Sequence, residues 1–354
     1  MVIFYIIIIL ALFLRLIGLE NITLGDEGYS LFIAKSPNFF SIFQDAGNPW
    51  FYYLILKFLN FLNFNILSYK LISILFNILS ITFLWVILKK KFNIKYANIG
   101  AFLAAINPVM LYYSHEIRCY SFLMMLSPLI IFYFFQMLQK RKNTDFVIYG
   151  LLALIAINTH YYMTLFLFSN FIFGLIYLRK RKTALIKYIF VNLAVLFSFL
   201  PFFFICTYKN AILTGFNNTF ENISSTLLKK QIFFIFSGFI SLIFSIFFFI
   251  KSIFSKLANY KIKLWLSYTF YTIFCIFILS IAISKLIRPI IIERYFSFLI
   301  PVFIIFLAII FNLYKKKLYT AIFLIWLISI QYSSAIKDMR PLYRFEQNIF
   351  QIAK

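Results

Sequence analysis

Asp26 and Glu27 are the residues of this sequence best suited to chemistry. They stand side by side after Gly25 in the segment GLENITLGDEGYSLFIAKSPNFFSIFQDAGNPWFYY, just beyond an apolar first run. A carboxylate held at a membrane surface can accept the proton of a hydroxyl as a general base, a role worth roughly 10²–10⁴ in rate. A plainer reading also fits, with Asp26 capping the short amphipathic helix that follows and Glu27 in its first turn. Glu27 can further raise one pKa of the pair by like-charge repulsion, or hold an arginine.

What surrounds the pair is a chain of 354 residues that is 64% apolar, 22% aromatic and only 12% charged. Average soluble domains carry about 25% charged residues and under 50% apolar ones, so the solvent here is lipid. The fold class expected is an all-α polytopic membrane protein. Apolar runs of spanning length fall at 2–19, 69–88, 97–113, 119–138, 146–158, 161–178, 186–206, 231–250, 264–284, 296–314 and 318–335, or about eleven transmembrane helices. The polar Asn158-Thr159-His160 divides one apolar block into two spans joined by a tight turn, and segment 49–64 reads as an interfacial helix. The first run has neither a basic leader nor a small-residue cleavage site and is expected to be a retained span. The organisation expected is one multi-span domain over 1–335, with a first outer loop at 20–68, and a short extracytoplasmic tail at 336–354.

The net charge of +24, from 34 Lys plus Arg against 10 Asp plus Glu, is sided. Basic clusters at Lys89 to Lys91 with Lys95, Lys140 to Lys142, Arg179 to Lys182 with Lys187, Lys251 to Lys263 and Lys315 to Lys317 occupy alternate loops, which makes those loops cytoplasmic. Nucleic-acid binding is excluded, because no folded domain presents these bases. With the N-terminus cytoplasmic, Glu20, Asp26, Glu27, Asp45, Glu116, Glu221, Glu293, Asp338 and Glu346 face outward, and only Asp145 faces inward. His115 and His160 also lie at outer helix ends. Titratable groups gathered on one face of a chain nearly empty of them favour chemistry at that face. Cys119, Cys206 and Cys275 lie far apart, with no metal or redox spacing, and are expected to pack as small apolar residues.

Read in order, the LRLIGL run, Asp26-Glu27, Asn48-Pro49-Trp50-Phe51-Tyr52-Tyr53, Asn107-Pro108, Tyr113-Ser114-His115-Glu116-Ile117-Arg118-Cys119-Tyr120-Ser121, Thr159-His160-Tyr161-Tyr162 and Arg294-Tyr295 before Pro301 form a distinctive set. The set resembles the type C membrane glycosyltransferases, in particular the bacterial relatives of the protein O-mannosyltransferases grouped as glycosyltransferase family 39. Those relatives also resemble the lipid A aminoarabinose transferases. The resemblance runs from about residue 10 to about residue 305. It implies an integral enzyme of the bacterial cytoplasmic (inner) membrane that moves one sugar from a polyprenyl-phosphate donor to an extracytoplasmic glycan, lipid or protein acceptor, with inversion. Asp26 matches the family's catalytic aspartate and Glu27 its acidic neighbour. Where the family usually has His-Pro-Pro or Lys-Pro-Pro, this chain has Asn48-Pro49-Trp50, and His115 stands where Gln is common.

Such chemistry needs a base, a phosphate-binding group and a groove for the carrier. Asp26 is the expected base. Arg118 and Arg294 suit the phosphate because a planar guanidinium binds it bidentately, and His160 can donate a hydrogen bond beside them. Each arginine also has a simpler reading, Arg118 solvated next to Glu116 and Arg294 snorkelling beside Glu293. Asn48, Pro49, Tyr53, Tyr113, Glu116, Tyr120, Tyr161 and Tyr295 are expected to line the groove, although interfacial aromatic belts are common. Arg15 either snorkels outward or neutralises the Asp26-Glu27 pair. No cofactor is firmly expected. His115, Glu116 and His160 are weak candidates for a divalent metal. The competing functions are a lipid-linked sugar flippase or other transporter, which would place charge near the bilayer midplane, and a non-catalytic envelope-assembly component.

Overall fold

The computed structural model describes residues 1–19, 25–45, 48–213, 239–254, 258–286 and 292–313, and all regular structure among them is helical. In chain order the helices are α1 (Val2–Leu16), α2 (Asp26–Lys35), α3 (Phe51–Asn60), α4 (Ile66–Lys91), α5 (Ile94–Ile106), α6 (Pro108–Ser114) and α7 (Tyr120–Lys140). They are followed by α8 (Asn143–Ile157), α9 (Met163–Leu178), α10 (Lys182–Leu213), α11 (Phe239–Phe254), α12 (Tyr260–Leu286) and α13 (Leu299–Leu313). The expected span 318–335, part of 231–250, the tail, and Glu20, Glu221, Lys256, Lys315 to Lys317, Asp338 and Glu346 lie outside the described residues.

Each apolar run within the described residues coincides with a helix, and the block at 146–178 divides at the turn after Ile157 as its polar residues require. The expected count of eleven spans is not established. Among the described residues four helices are long and apolar enough to cross a bilayer, or five if the bent pair α5–α6 is one span. The difference is length: α1, α8 and α13 have 15 residues each, about 22 Å at 1.5 Å per residue, against a hydrocarbon core of about 30 Å. In α5–α6 the run is broken by Pro108, which has no N–H to continue the ladder, and the axis bends by 58°.

Composition also decides which helices are central. In α13 every residue from Leu299 to Phe311 is buried, as expected of a helix that is apolar on all sides. It packs against α5 and α12, while α4 lies between α5 and α7. By contrast α1 leaves Ile3, Ile6, Ile9 and Phe13 exposed on one face. The basic clusters meet at one end of the bundle. There Lys187 Nζ donates to Asn143 Oδ1 at 2.8 Å, Lys89 Nζ lies 3.7 Å from Met1 Sδ, and Lys261 sits 5.7 Å from the Phe92 ring centroid. Arg118 stands just before α7 and His160 just before α9, at the ends opposite the basic residues that close those helices, and Asp26 and Arg294 gather with Arg118.

Between the ends, buried tyrosines satisfy their hydroxyls internally. Tyr268 Oη donates to Asn170 Oδ1 at 2.6 Å and Tyr188 Oη to the Asn170 carbonyl at 2.8 Å. Gly174 makes room for this arrangement, since a Cβ there would fall 2.5 Å from the Tyr188 ring. Gly174→Ala should therefore lower the thermal unfolding midpoint in detergent, with an overpacking cost of about 1–3 kcal/mol. Gly28→Ala, where a Cβ meets nothing within 4 Å, should leave the midpoint unchanged or slightly raised. Equal midpoints for the two variants would contradict this account of the packing.

Candidate functional site

Helix α2 begins at Gly25, whose φ of 87° lies in the left-handed region open to glycine. Gly25 is the N-cap, so Asp26 does not cap the helix. Both acids occupy its first turn, where the positive end of the helix dipole favours them. Successive helical residues point about 100° apart, and the two side chains accordingly meet different surroundings. The Asp26 side chain is 49% exposed, with Oδ2 at 2.7 Å from Arg294 Nη1 and 3.8 Å from Arg118 Nη2. Glu27 is buried, and its Oε1 accepts the Ile117 N–H at 2.6 Å.

Arg118 is buried, not solvated next to Glu116. Its Nη1 donates to Ser30 Oγ at 3.1 Å, to the Asp26 carbonyl at 3.3 Å and to Tyr53 Oη at 3.4 Å. Tyr53 in turn donates to Asp45, whose Oδ2 also accepts from Asn48 Nδ2 at 2.9 Å. Arg294 pairs across the site with Asp26, while the side chain of Glu293 lies outside the described set. Arg15 is also corrected. It is fully buried and bonded to Asn77 and to backbone carbonyls, so it neither snorkels nor reaches the acids.

Helix α3 holds α2 in place. Lys57 Nζ donates to the Ser36 carbonyl at 2.6 Å and the Ile33 carbonyl at 3.4 Å, satisfying acceptors that the end of α2 leaves open. At its own start α3 docks on the turn between α8 and α9. The Phe51 N–H donates to the Asn158 carbonyl at 2.9 Å and Trp50 Nε1 to Asn158 Oδ1 at 3.1 Å. The unusual Asn48-Pro49-Trp50 run thus ties the segment between α2 and α3 to the turn that carries His160, and Pro49 is buried in it.

His160 is fully buried, and its Nδ1 accepts the Tyr162 N–H at 3.1 Å, which places the ring proton on Nε2. Burial first, then the charges of Arg118 and Arg294, push its pKa down to about 3, so the ring is neutral. Tyr161 and Tyr295 each lie 4.8 Å from it, centroid to centroid, and Tyr120 lies 6.3 Å away, with the tilted Tyr113 ring 4.8 Å from that of Tyr120. Buried His160 Nε2, Tyr120 Oη, Arg118 Nε and Arg294 Nε have no hydrogen-bond partner among the described residues. Four polar groups able to donate, without acceptors, around one half-exposed carboxylate suit an acceptor-rich anionic ligand.

The expected site residues are therefore mostly brought together. The exception is His115, whose Nε2 faces the Arg15 carbonyl at 2.7 Å. Among the described residues no three His, Cys, Asp or Glu side chains gather as a metal site, and no step is assigned to a metal. Asp45 and Ser30 were not anticipated as site residues. The position of Ser30, one helical turn after Asp26, was the available signal for it.

The structure is a helical bundle with several apolar helices of spanning length and a polar centre at one end. Residues 46–205, just under half of the chain, match the family model described as dolichyl-phosphate-mannose-protein mannosyltransferase. No curated protein matches the chain. Together the apolar helices and this match point to a multi-pass membrane glycosyltransferase. The matched stretch carries Tyr53, Glu116, Arg118, Tyr120 and His160 but neither Asp26 nor Arg294.

Glu116 yields a pH test. Burial, then the adjacent Glu27, push its carboxyl up from 4.5 to about 7, against a lowering hydrogen bond with Tyr112. A raised acid is bound to its proton more tightly in the folded chain, so this contribution to stability is full below about 4.5 and lost as pH rises to about 7. Between pH 5 and pH 8 the unfolding midpoint of the wild type should fall further than that of Glu116→Gln, by roughly 2–4 °C. Parallel profiles would sink this assignment.

Proposed function

We propose that the chain is an integral membrane glycosyltransferase that moves one sugar from a polyprenyl-phosphate carrier to an acceptor hydroxyl. The basic end faces the cytoplasm and the site faces outward, in keeping with the lysine-rich loops. The observation that carries this reading is the meeting of a half-exposed carboxylate, Asp26, with two guanidiniums and a neutral buried imidazole whose Nε–H and Nε2–H groups have no acceptor among the described residues. The match of residues 46–205 supports the same chemistry.

In this reading Asp26 takes the proton of the acceptor hydroxyl as its oxygen bonds to the anomeric carbon. The bond from that carbon to the phosphate oxygen breaks on the opposite face, and the polyprenyl phosphate leaves with the electron pair. The sugar inverts. Arg118 and Arg294 hold the leaving phosphate, and the Nε2–H of His160 and the hydroxyl of Tyr120 donate to its oxygens. These donors act where negative charge grows, and their fixed positions make them effective. Tyr161 and Tyr295 flank the sugar, while Glu27 positions the loop through Ile117. The acceptor is a glycan, lipid or protein outside the membrane.

The test is release of undecaprenyl phosphate from an undecaprenyl-phosphate sugar by purified protein in detergent. Asp26→Asn should cut transfer about 10²–10⁴-fold without changing the unfolding midpoint by more than a few degrees. Turnover equal to wild type would remove Asp26 as the base. His160→Gln, which keeps an N–H donor, should retain more activity than His160→Leu. If no sugar leaves any of several polyprenyl-phosphate donors, the transferase reading fails.

A further inference from the structure

Loop 115–118 carries Glu116 and Arg118 into the site, and something must hold it there. It follows the break between α5 and α6. Pro108 offers no N–H to the Ala104 carbonyl, and the chain turns away before the Ala105 carbonyl is used within the helix. In an apolar interior such carbonyls need another donor.

The donor is Arg15, at the end of α1. Its Nη2 reaches the Ala104 carbonyl at 3.3 Å and its Nη1 the Ala105 carbonyl at 3.0 Å. Nε donates to Asn77 Oδ1 at 2.9 Å, and Asn77 Nδ2 passes the contact on to the Met110 carbonyl in α6 at 2.9 Å. The backbone of Arg15 serves the loop as well. Its carbonyl, in the last turn of α1 and so without a helical partner, faces His115 Nε2 at 2.7 Å. A carbonyl only accepts, so the imidazole donates through Nε2. Two residues further on, the Ile117 N–H binds Glu27, and Arg118 binds Asp26 and Ser30.

We propose that Arg15 and His115 form a buried clamp that fixes loop 115–118 between the broken helix and α2, and so sets the pose of the Arg118 guanidinium. Both are positioning residues and neither touches substrate. Lys in place of Arg15 keeps the charge but has no planar fork to reach Asn77 and both carbonyls together. Gln in place of His115 retains an N–H donor, and Leu does not. The consequence for phosphate binding rests on the function proposed above, whereas the consequence for loop order does not.

The experiment is amide hydrogen exchange on the full chain in detergent, paired with binding of farnesyl phosphate as a probe. His115→Leu should speed exchange of the peptide containing Ile117 at least fivefold, leave peptides from α12 and α13 unchanged, and weaken farnesyl phosphate binding at least fivefold. His115→Gln should restore both within about twofold. Arg15→Lys should loosen the same peptide. Unchanged exchange at Ile117 in His115→Leu or Arg15→Lys would overturn the clamp, as would equal loss in the Gln and Leu variants. Should His115→Leu not fold, the comparison of Arg15→Lys with His115→Gln decides it. If the wild type does not bind farnesyl phosphate, the transferase reading falls while the exchange data still judge the clamp.

Discussion

A helix interrupted inside an apolar bundle exposes carbonyls that water cannot reach, and the rest of this structure depends on how that constraint is met. The break at Asn107-Pro108 turns the chain by 58° and delivers the loop that ends in Arg118. An unpaired buried amide group costs on the order of 1–3 kcal/mol, so the break persists only because a buried guanidinium answers it. Arg15 is expensive to bury in its own right. Its cost and that of the carbonyls offset one another, and neither feature would be tolerated without the other.

Neighbouring acids with opposite fates follow from the same economy of groups. Glu27 points inward and is spent on a backbone amide, whereas Asp26 stays half open between two arginines. Arg118 is shared among Ser30, Tyr53 and the backbone of Asp26, which limits its freedom and keeps it facing the carboxylate. His160 receives its tautomer from a backbone N–H two residues away. Arg118 and His160 are thus each oriented by contacts other than the Asp26 carboxylate.

Helix positions were legible in the sequence because apolar runs and basic clusters are strong signals in a lipid environment. The turn at Asn158 was legible for the same reason, since three polar residues in an apolar block need an end to sit at. Asp26, Arg118, His160 and Arg294 could be picked out because charges are rare in this chain. Arg15 could not be assigned, because its partners are backbone carbonyls on α5, nearly ninety residues away along the chain, and their need arises from a break whose geometry no local pattern specifies. Asp45 was missed similarly: its bond with Tyr53 depends on how α3 returns against α2. The count of eleven spans is not established by the described helices, because an apolar run shows that a segment is buried but not how far its helix extends.

Lys57 has one more consequence. Its ammonium sits on the last carbonyls of α2 and stays inside the protein, neutralising the negative pole of that helix. The positive pole at Gly25 has no such internal counterweight beyond the acids of the first turn. Both poles of α2 are thus met by side chains, Lys57 at one end and the two first-turn acids at the other. The Asp26 carboxylate is therefore held by the helix backbone as well as by the two arginines, and the backbone's share of that attraction carries no proton and does not titrate.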